Sequence, residues 1–191
     1  MFIRPSAFLL AAIACSPVFF GCGGKFLKAP TTAAKATTPK AEPAITAASA
    51  LADAAKALAG TWRCSGSIYG ADGAASPSTV TLNVSLGLDK AWLQTEFVVS
   101  SGKYKYNFNS YRTFDPSSSK WVNVIVDNLG GHAVSGSTDG IIWTGESSGP
   151  MGKMEIRDTE TIVSPGEVNM FGQYSLDGRN WSTGYELSCK K

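Results

Sequence analysis

From residue 60 to the C-terminus the chain alternates with a period of two. In "STVTLNVSLGL", Val80, Leu82, Val84, Leu86 and Leu88 fall on one side of an extended backbone, and Thr79, Thr81, Asn83 and Ser85 fall on the other. That is the pattern of a strand with one buried face. Turn-forming stretches recur along the same region: "LDK" at 88, "SGK" at 101, "DPSSSK" at 115, "NLGG" at 128, "TDG" at 138, "SPG" at 164 and "LDG" at 176. Twenty glycines and nine prolines in 191 residues suit a chain that turns this often. The spacing predicts about ten strands in a meander of hairpins. An internal echo supports it, because "STDGIIW" and "SLDGRNW" both place a tryptophan three residues after Asp-Gly.

The N-terminus obeys other rules. Arg4 followed by the apolar "AFLLAAIACSPVFF" reads as an export signal over residues 1–21. This apolar run is too short to span a bilayer comfortably. Cys22 follows a small residue, Gly21, and "FFGC" resembles the lipobox of bacterial lipoproteins, in which the signal is cut before the cysteine and its sulfur is lipidated. It departs from that pattern at Phe19, where leucine is usual. The resemblance implies a lipid anchor at Cys22 and a place in the bacterial cell envelope, at the periplasmic face or the surface of the outer membrane, with simple secretion as the alternative. Cys15 lies inside the apolar run and leaves with the signal. Residues 22–44, rich in Ala, Thr, Lys and Pro, lack apolar periodicity and are expected to form a tether. As a flexible chain its reach is about 25 Å. Residues 45–59 have high helix propensity, with Leu51 and Leu58 seven apart and Gly60 placed as a stop; the helix either covers an end of the domain or is only partly formed.

Lipidation of Cys22 and loss of Cys15 leave one cysteine pair, Cys64 and Cys189, in an exported chain where disulfides persist. Strand phase places Trp62, Cys64, Gly66 and Ile68 on one face of the first strand. It places Trp181, Thr183, Tyr185, Leu187 and Cys189 on one face of the last. First and last strands become neighbours when a sheet closes, so the expected fold is all-β: an antiparallel up-and-down barrel over residues 60–191, bonded between its end strands. Their Cα atoms are then expected about 4.4–6.8 Å apart.

"LAGTW" at the head of the strands, with the "DGIIW" and "DGRNW" turns, resembles a bacterial family of lipocalin-like barrels of unknown function, members of the calycin group, over residues 57–190. Gly60-Thr61-Trp62 is similar to the lipocalin Gly-x-Trp, and the resemblance implies that Trp62 packs across the barrel floor. It implies a fold more than an activity.

A barrel of this size can hold a small, largely apolar or amphiphilic ligand. Following the larger apolar side chains, the candidate lining is Trp92, Gln94 and Glu96, then Tyr104, Tyr106, Phe108 and Arg112 with Ser110, then Trp143; Asp158 and Glu160 share a face with Met154 and Ile156. An interior Glu96 with Arg112 would be a mutual ion pair or a grip on a polar headgroup. The opposite phase is open for "AWLQTEFVVS", whose other face carries Leu93, Phe97 and Val99. A barrel filled by its own aromatics, acting as a non-enzymatic interaction or structural module, is the alternative function.

Residues 23–59 carry a net charge of +3 and residues 60–191 one of −2, without a basic stripe interleaved with aromatics, which argues against a nucleic-acid partner. The single histidine, His132, follows a Gly-Gly turn; a zinc cluster lacks ligands, a Ser-His-Asp arrangement lacks a suitable histidine, and no Gly-x-Ser-x-Gly elbow occurs. Haem is disfavoured by the place of His132, since the resembling ten-stranded nitrobindins carry their histidine near the chain's end. The chain is therefore expected to be non-enzymatic, without metal or cofactor.

Overall fold

The structure, a computed structural model, describes residues 46–191. The expectations for Cys15, Cys22, the export signal and the tether lie outside the described residues. Thr46 opens the first element through a reciprocal cap: its hydroxyl accepts from the Ser49 amide at 3.2 Å, and the Ser49 hydroxyl accepts from the Thr46 amide at 3.1 Å. Two otherwise unpaired amides are satisfied in this way. Helix α1 follows as Ala47–Leu58, buries Leu51, and packs against the second, third and fourth strands. Ala59 is already extended, so the chain passes into a strand at Gly60.

Ten strands follow: β1 (Gly60–Tyr69), β2 (Ala75–Gly87), β3 (Trp92–Ser101), β4 (Asn107–Asp115) and β5 (Lys120–Asp127), then β6 (His132–Ser137), β7 (Ile142–Gly149), β8 (Gly152–Ser164), β9 (Glu167–Ser175) and β10 (Ser182–Lys190). Each pairs antiparallel with its neighbour in sequence, and β10 pairs with β1, so the sheet is a closed barrel without free edges. All seven turn-forming stretches fall between strands. The turns at 70–74, with its own Asp72-Gly73, and at 150–151 are not among those stretches and complete the meander. The β2–β3 turn is built from Leu88, Asp89 and Lys90, all left-handed, with φ of 49°, 56° and 66°.

Closure rests on the two residues of the opening strand that the alternation singles out. Cys64 and Cys189 are direct cross-strand partners and form a disulfide. Their Cα atoms stand 3.9 Å apart, closer than the range expected for disulfides in general. Directly opposed residues of antiparallel strands already sit near the short end of that range. Trp62, only 2% exposed, packs into the same core as Val80, Leu82, Phe97, Val168 and Leu187. Its indole N–H donates to the Leu58 carbonyl at 2.7 Å, and the Lys191 ammonium sits 4.8 Å from its ring centre while donating to the Ala57 carbonyl at 3.0 Å. Helix, first strand and last residue thus meet at one end of the barrel.

The last strand departs from uniform alternation. Thr183 pairs with Gln173 and Tyr185 with Gly172, which leaves Gly184 as an extra residue in a bulge. The bulge resets the phase, so Tyr185, Leu187 and Cys189 face inward and Trp181 and Thr183 do not share their face. Trp181 instead stacks beneath the Arg157 guanidinium, 4.5 Å from the ring centre, on the side of β8 opposite the inward Asp158.

Candidate functional site

Inside the barrel, near the α1 end, lies a cavity of about 70 Å³. One half of its wall is apolar: Leu82 and Val84 from β2, Phe97 and Phe108 from β3 and β4, Val168 and Met170 from β9. Phe97 and Phe108 stack at 4.4 Å, with Tyr106 set edgewise at 6.3 Å from Phe97, so this half is backed by an aromatic cluster. The other half is polar: Ser110, Arg112, Asn123, Trp143, Asp158, Glu160 and Tyr185.

Arg112 organises the polar half. Its two terminal nitrogens donate to the two carboxylate oxygens of Glu160 at 2.8 and 2.7 Å, a bidentate pair, and its guanidinium lies 4.3 Å from the centre of the Trp143 ring. Burial opposes the arginine charge, and the charge and hydrogen bonds of Glu160, together with Tyr185 and Asp158, more than offset it and hold its pKa above the ordinary value. Asp158 accepts a hydrogen bond from the Tyr185 hydroxyl at 2.8 Å. Burial pushes the Asp158 carboxyl up to about 6, with Glu160 adding to the rise and Tyr185 and Arg112 opposing it. Tyr185 in turn is pushed well above its ordinary range by burial and by Asp158. One fixed cation therefore faces two carboxylates, and burial brings Asp158 to the point of exchanging a proton near pH 6.

Among the described residues, four buried side-chain polar atoms have no hydrogen-bond partner: Arg112 Nε, Asn123 Oδ1, Ser135 Oγ and Trp143 Nε1. All four belong to adjacent strands β4, β5, β6 and β7. Also among the described residues, no group of three His, Cys, Asp or Glu side chains is placed to share a metal ion.

The structure brings Phe108, Arg112 and Trp143 to the cavity wall and Tyr106 to the aromatic cluster behind it, where the Tyr106 hydroxyl donates to Asp127 at 3.3 Å. Burial and Asp127 together raise the Tyr106 pKa. It does not bring Trp92, Gln94, Glu96 or Tyr104 there. On β3 the inward residues are Leu93, Thr95, Phe97 and Val99, because β2 pairs Val80 with Val99, Leu82 with Phe97 and Leu86 with Leu93. The unambiguous alternation of β2 thereby settles the ambiguous alternation of its neighbour. Gln94 reaches Tyr111 on the outer face, and Glu96 is exposed, accepting from Asn83 at 3.0 Å. Trp92, the first residue of β3, shares that outward phase. Tyr104 lies in the β3–β4 loop with Lys103 over its ring and its hydroxyl beside Gly70. The expected Glu96–Arg112 pair is replaced by Arg112–Glu160. Asn123 and Tyr185 were missed as lining residues. For Tyr185 the available signal was its phase with Cys189; for Asn123 there was none, since both phases of "KWVNVIVD" are apolar and its pairing with Arg112 is what places it.

A family described as "Protein of unknown function (DUF1579)" matches residues 53–191. No curated protein matches the chain.

Proposed function

The chain belongs to the DUF1579 family, and we propose that it is an envelope lipoprotein, lipocalin-like in its barrel and anchored through Cys22, that holds a small amphiphilic molecule and carries out no catalysis. The observation that supports binding most directly is the division of the interior wall, apolar on the Leu82, Val84, Phe97 and Phe108 side and polar on the Arg112, Asn123 and Trp143 side. A protein core without a guest gains nothing from polar atoms left unpaired. At about 70 Å³ the cavity is far below the roughly 300–1,000 Å³ of drug-sized sites. The guest is accordingly a molecule of a few heavy atoms, or the end of a longer one. The disulfide supports an oxidising, exported setting, in which such bonds persist.

The small volume and the stacked Phe97–Phe108 pair also favour a second reading, a filled barrel that works through its outer surface. Native mass spectrometry of the full mature protein purified from its source separates the two. A reproducible small-molecule adduct is expected; an empty mass with a copurifying protein would favour the filled barrel. For the anchor, Cys22→Ser is expected to move the protein from the detergent phase to the soluble fraction. An unchanged distribution would remove the lipid from the proposal.

A further inference from the structure

We infer that the cavity wall formed by Arg112, Asn123 and Trp143 is a seat for an uncharged polar head that both accepts and donates hydrogen bonds, of which a carboxamide is the simplest example. This deepens the binding reading and rests on it. Arg112 and Asn123 are cross-strand partners, as are Asn123 and Ser135, and Trp143 lies under the Arg112 guanidinium at 4.3 Å. Three of the four unpartnered atoms therefore belong to residues that line the cavity, Arg112, Asn123 and Trp143, and the fourth is on the cross-strand neighbour of Asn123. Asn123, Ser135 and Trp143 are 4, 3 and 2% exposed, so bulk water does not supply their partners. A buried polar group left in this state is destabilising, and three on one cavity wall point to a guest that completes them.

The chemistry of the four atoms selects the guest. Arg112 Nε and Trp143 Nε1 can only donate, Asn123 Oδ1 can only accept, and the Ser135 hydroxyl can do either. A carboxylate would take the two N–H groups, but it would stand beside the carboxylates of Glu160 and Asp158. An ammonium would satisfy Asn123 and confront Arg112 and the indole N–H. A hydrocarbon would leave all four unpaired. A carboxamide accepts from Arg112 and Trp143 through its oxygen and donates to Asn123 through its nitrogen, and its apolar end lies toward Phe108. Arg112 is free to present Nε to the guest because Glu160 already holds both of its terminal nitrogens.

The test uses the full mature chain labelled with nitrogen-15, followed through the Trp143 indole and Arg112 Nε–H resonances at pH 7. The probes are butyramide, butyrate, butylammonium and n-pentane. Butyramide is expected to shift both resonances at the lowest concentration of the four. Asn123→Leu is expected to weaken butyramide binding at least tenfold while leaving the melting temperature unchanged or higher, because it removes an unpaired buried acceptor. Asn123→Ala is a smaller change that removes the same acceptor should the leucine not be accommodated, and the same weakening of butyramide binding is expected of it. Butyrate, butylammonium or n-pentane binding more tightly than butyramide would overturn the uncharged polar head and leave a binding barrel. Variants that lower the melting temperature without touching butyramide binding would make these atoms structural and overturn it equally. If none of the four probes shifts either resonance, the binding reading fails together with the inference.

Discussion

Asp158 shows at the scale of one residue what the barrel does to an ionisable group. Enclosure raises its carboxyl from 3.8 to about 6, while the Tyr185 hydroxyl keeps hold of one oxygen. A carboxyl whose folded pKa is raised binds its proton more tightly in the folded state. Its contribution to stability is fully present below about pH 4 and is lost as the pH climbs through 6. A rise of that size corresponds to about 2–3 kcal/mol. Chemical denaturation of the wild type between pH 4 and 7 is expected to show stability falling as pH rises. In Asp158→Asn most of that slope disappears, and a slope that survives would place its origin elsewhere. The turn carboxylates of Asp139 and Asp177 run the other way, held below the usual range by backbone amides of their own turns. Their contribution is lost on acidification below about pH 4, outside the window in which Asp158 acts.

Among the elements, β9 and β10 are fitted to each other at a single glycine. Gly172 is the partner of Tyr185, and a Cβ there would run into the tyrosine ring. The absence of a side chain on β9 is what lets Tyr185 lie across the interior and reach Asp158. Gly172→Ala is expected to destabilise the barrel by about 1–3 kcal/mol, as overpacking does. Adding Tyr185→Val should restore most of the loss, measurable by urea unfolding of the single and double variants; simple additivity would mean that the glycine serves the backbone instead. The same strands show what can be read from a sequence and what cannot. The strand pattern, the tryptophan that packs against the helix and the cysteine pair follow from period-two alternation and from turn residues, which act locally. The bulge at Gly184 has no local marker except one more glycine among twenty, and it turned Trp181 outward. On β3 both faces of "WLQTEFVV" are nearly equally apolar, so its phase is decided by pairing with β2, a contact between strands. Glu160 is the partner of Arg112 across 48 residues and from β8 to β4, a distance at which no spacing rule operates.

Taken as a whole molecule, the barrel joins its beginning to its end twice, by the hydrogen bonds of β1 with β10 and by the disulfide between Cys64 and Cys189, 125 residues apart in the chain. Chain-entropy reasoning assigns a bond across so long a loop about 4–5 kcal/mol. Reduction is therefore expected to lower the melting temperature while the closed sheet persists, as followed by circular dichroism with and without reductant. The bond also decides what a protease can achieve. All nine turns between strands lie between the two cysteines, so a single cut in any of them leaves two fragments that are still one covalent body, each held by intact ladders on both flanks. Limited digestion at an exposed turn such as Pro150–Met151 is expected to leave the mass on a non-reducing gel unchanged and to split it only when reductant is added. A chain that is severed in this way has lost its continuity but not its connectedness.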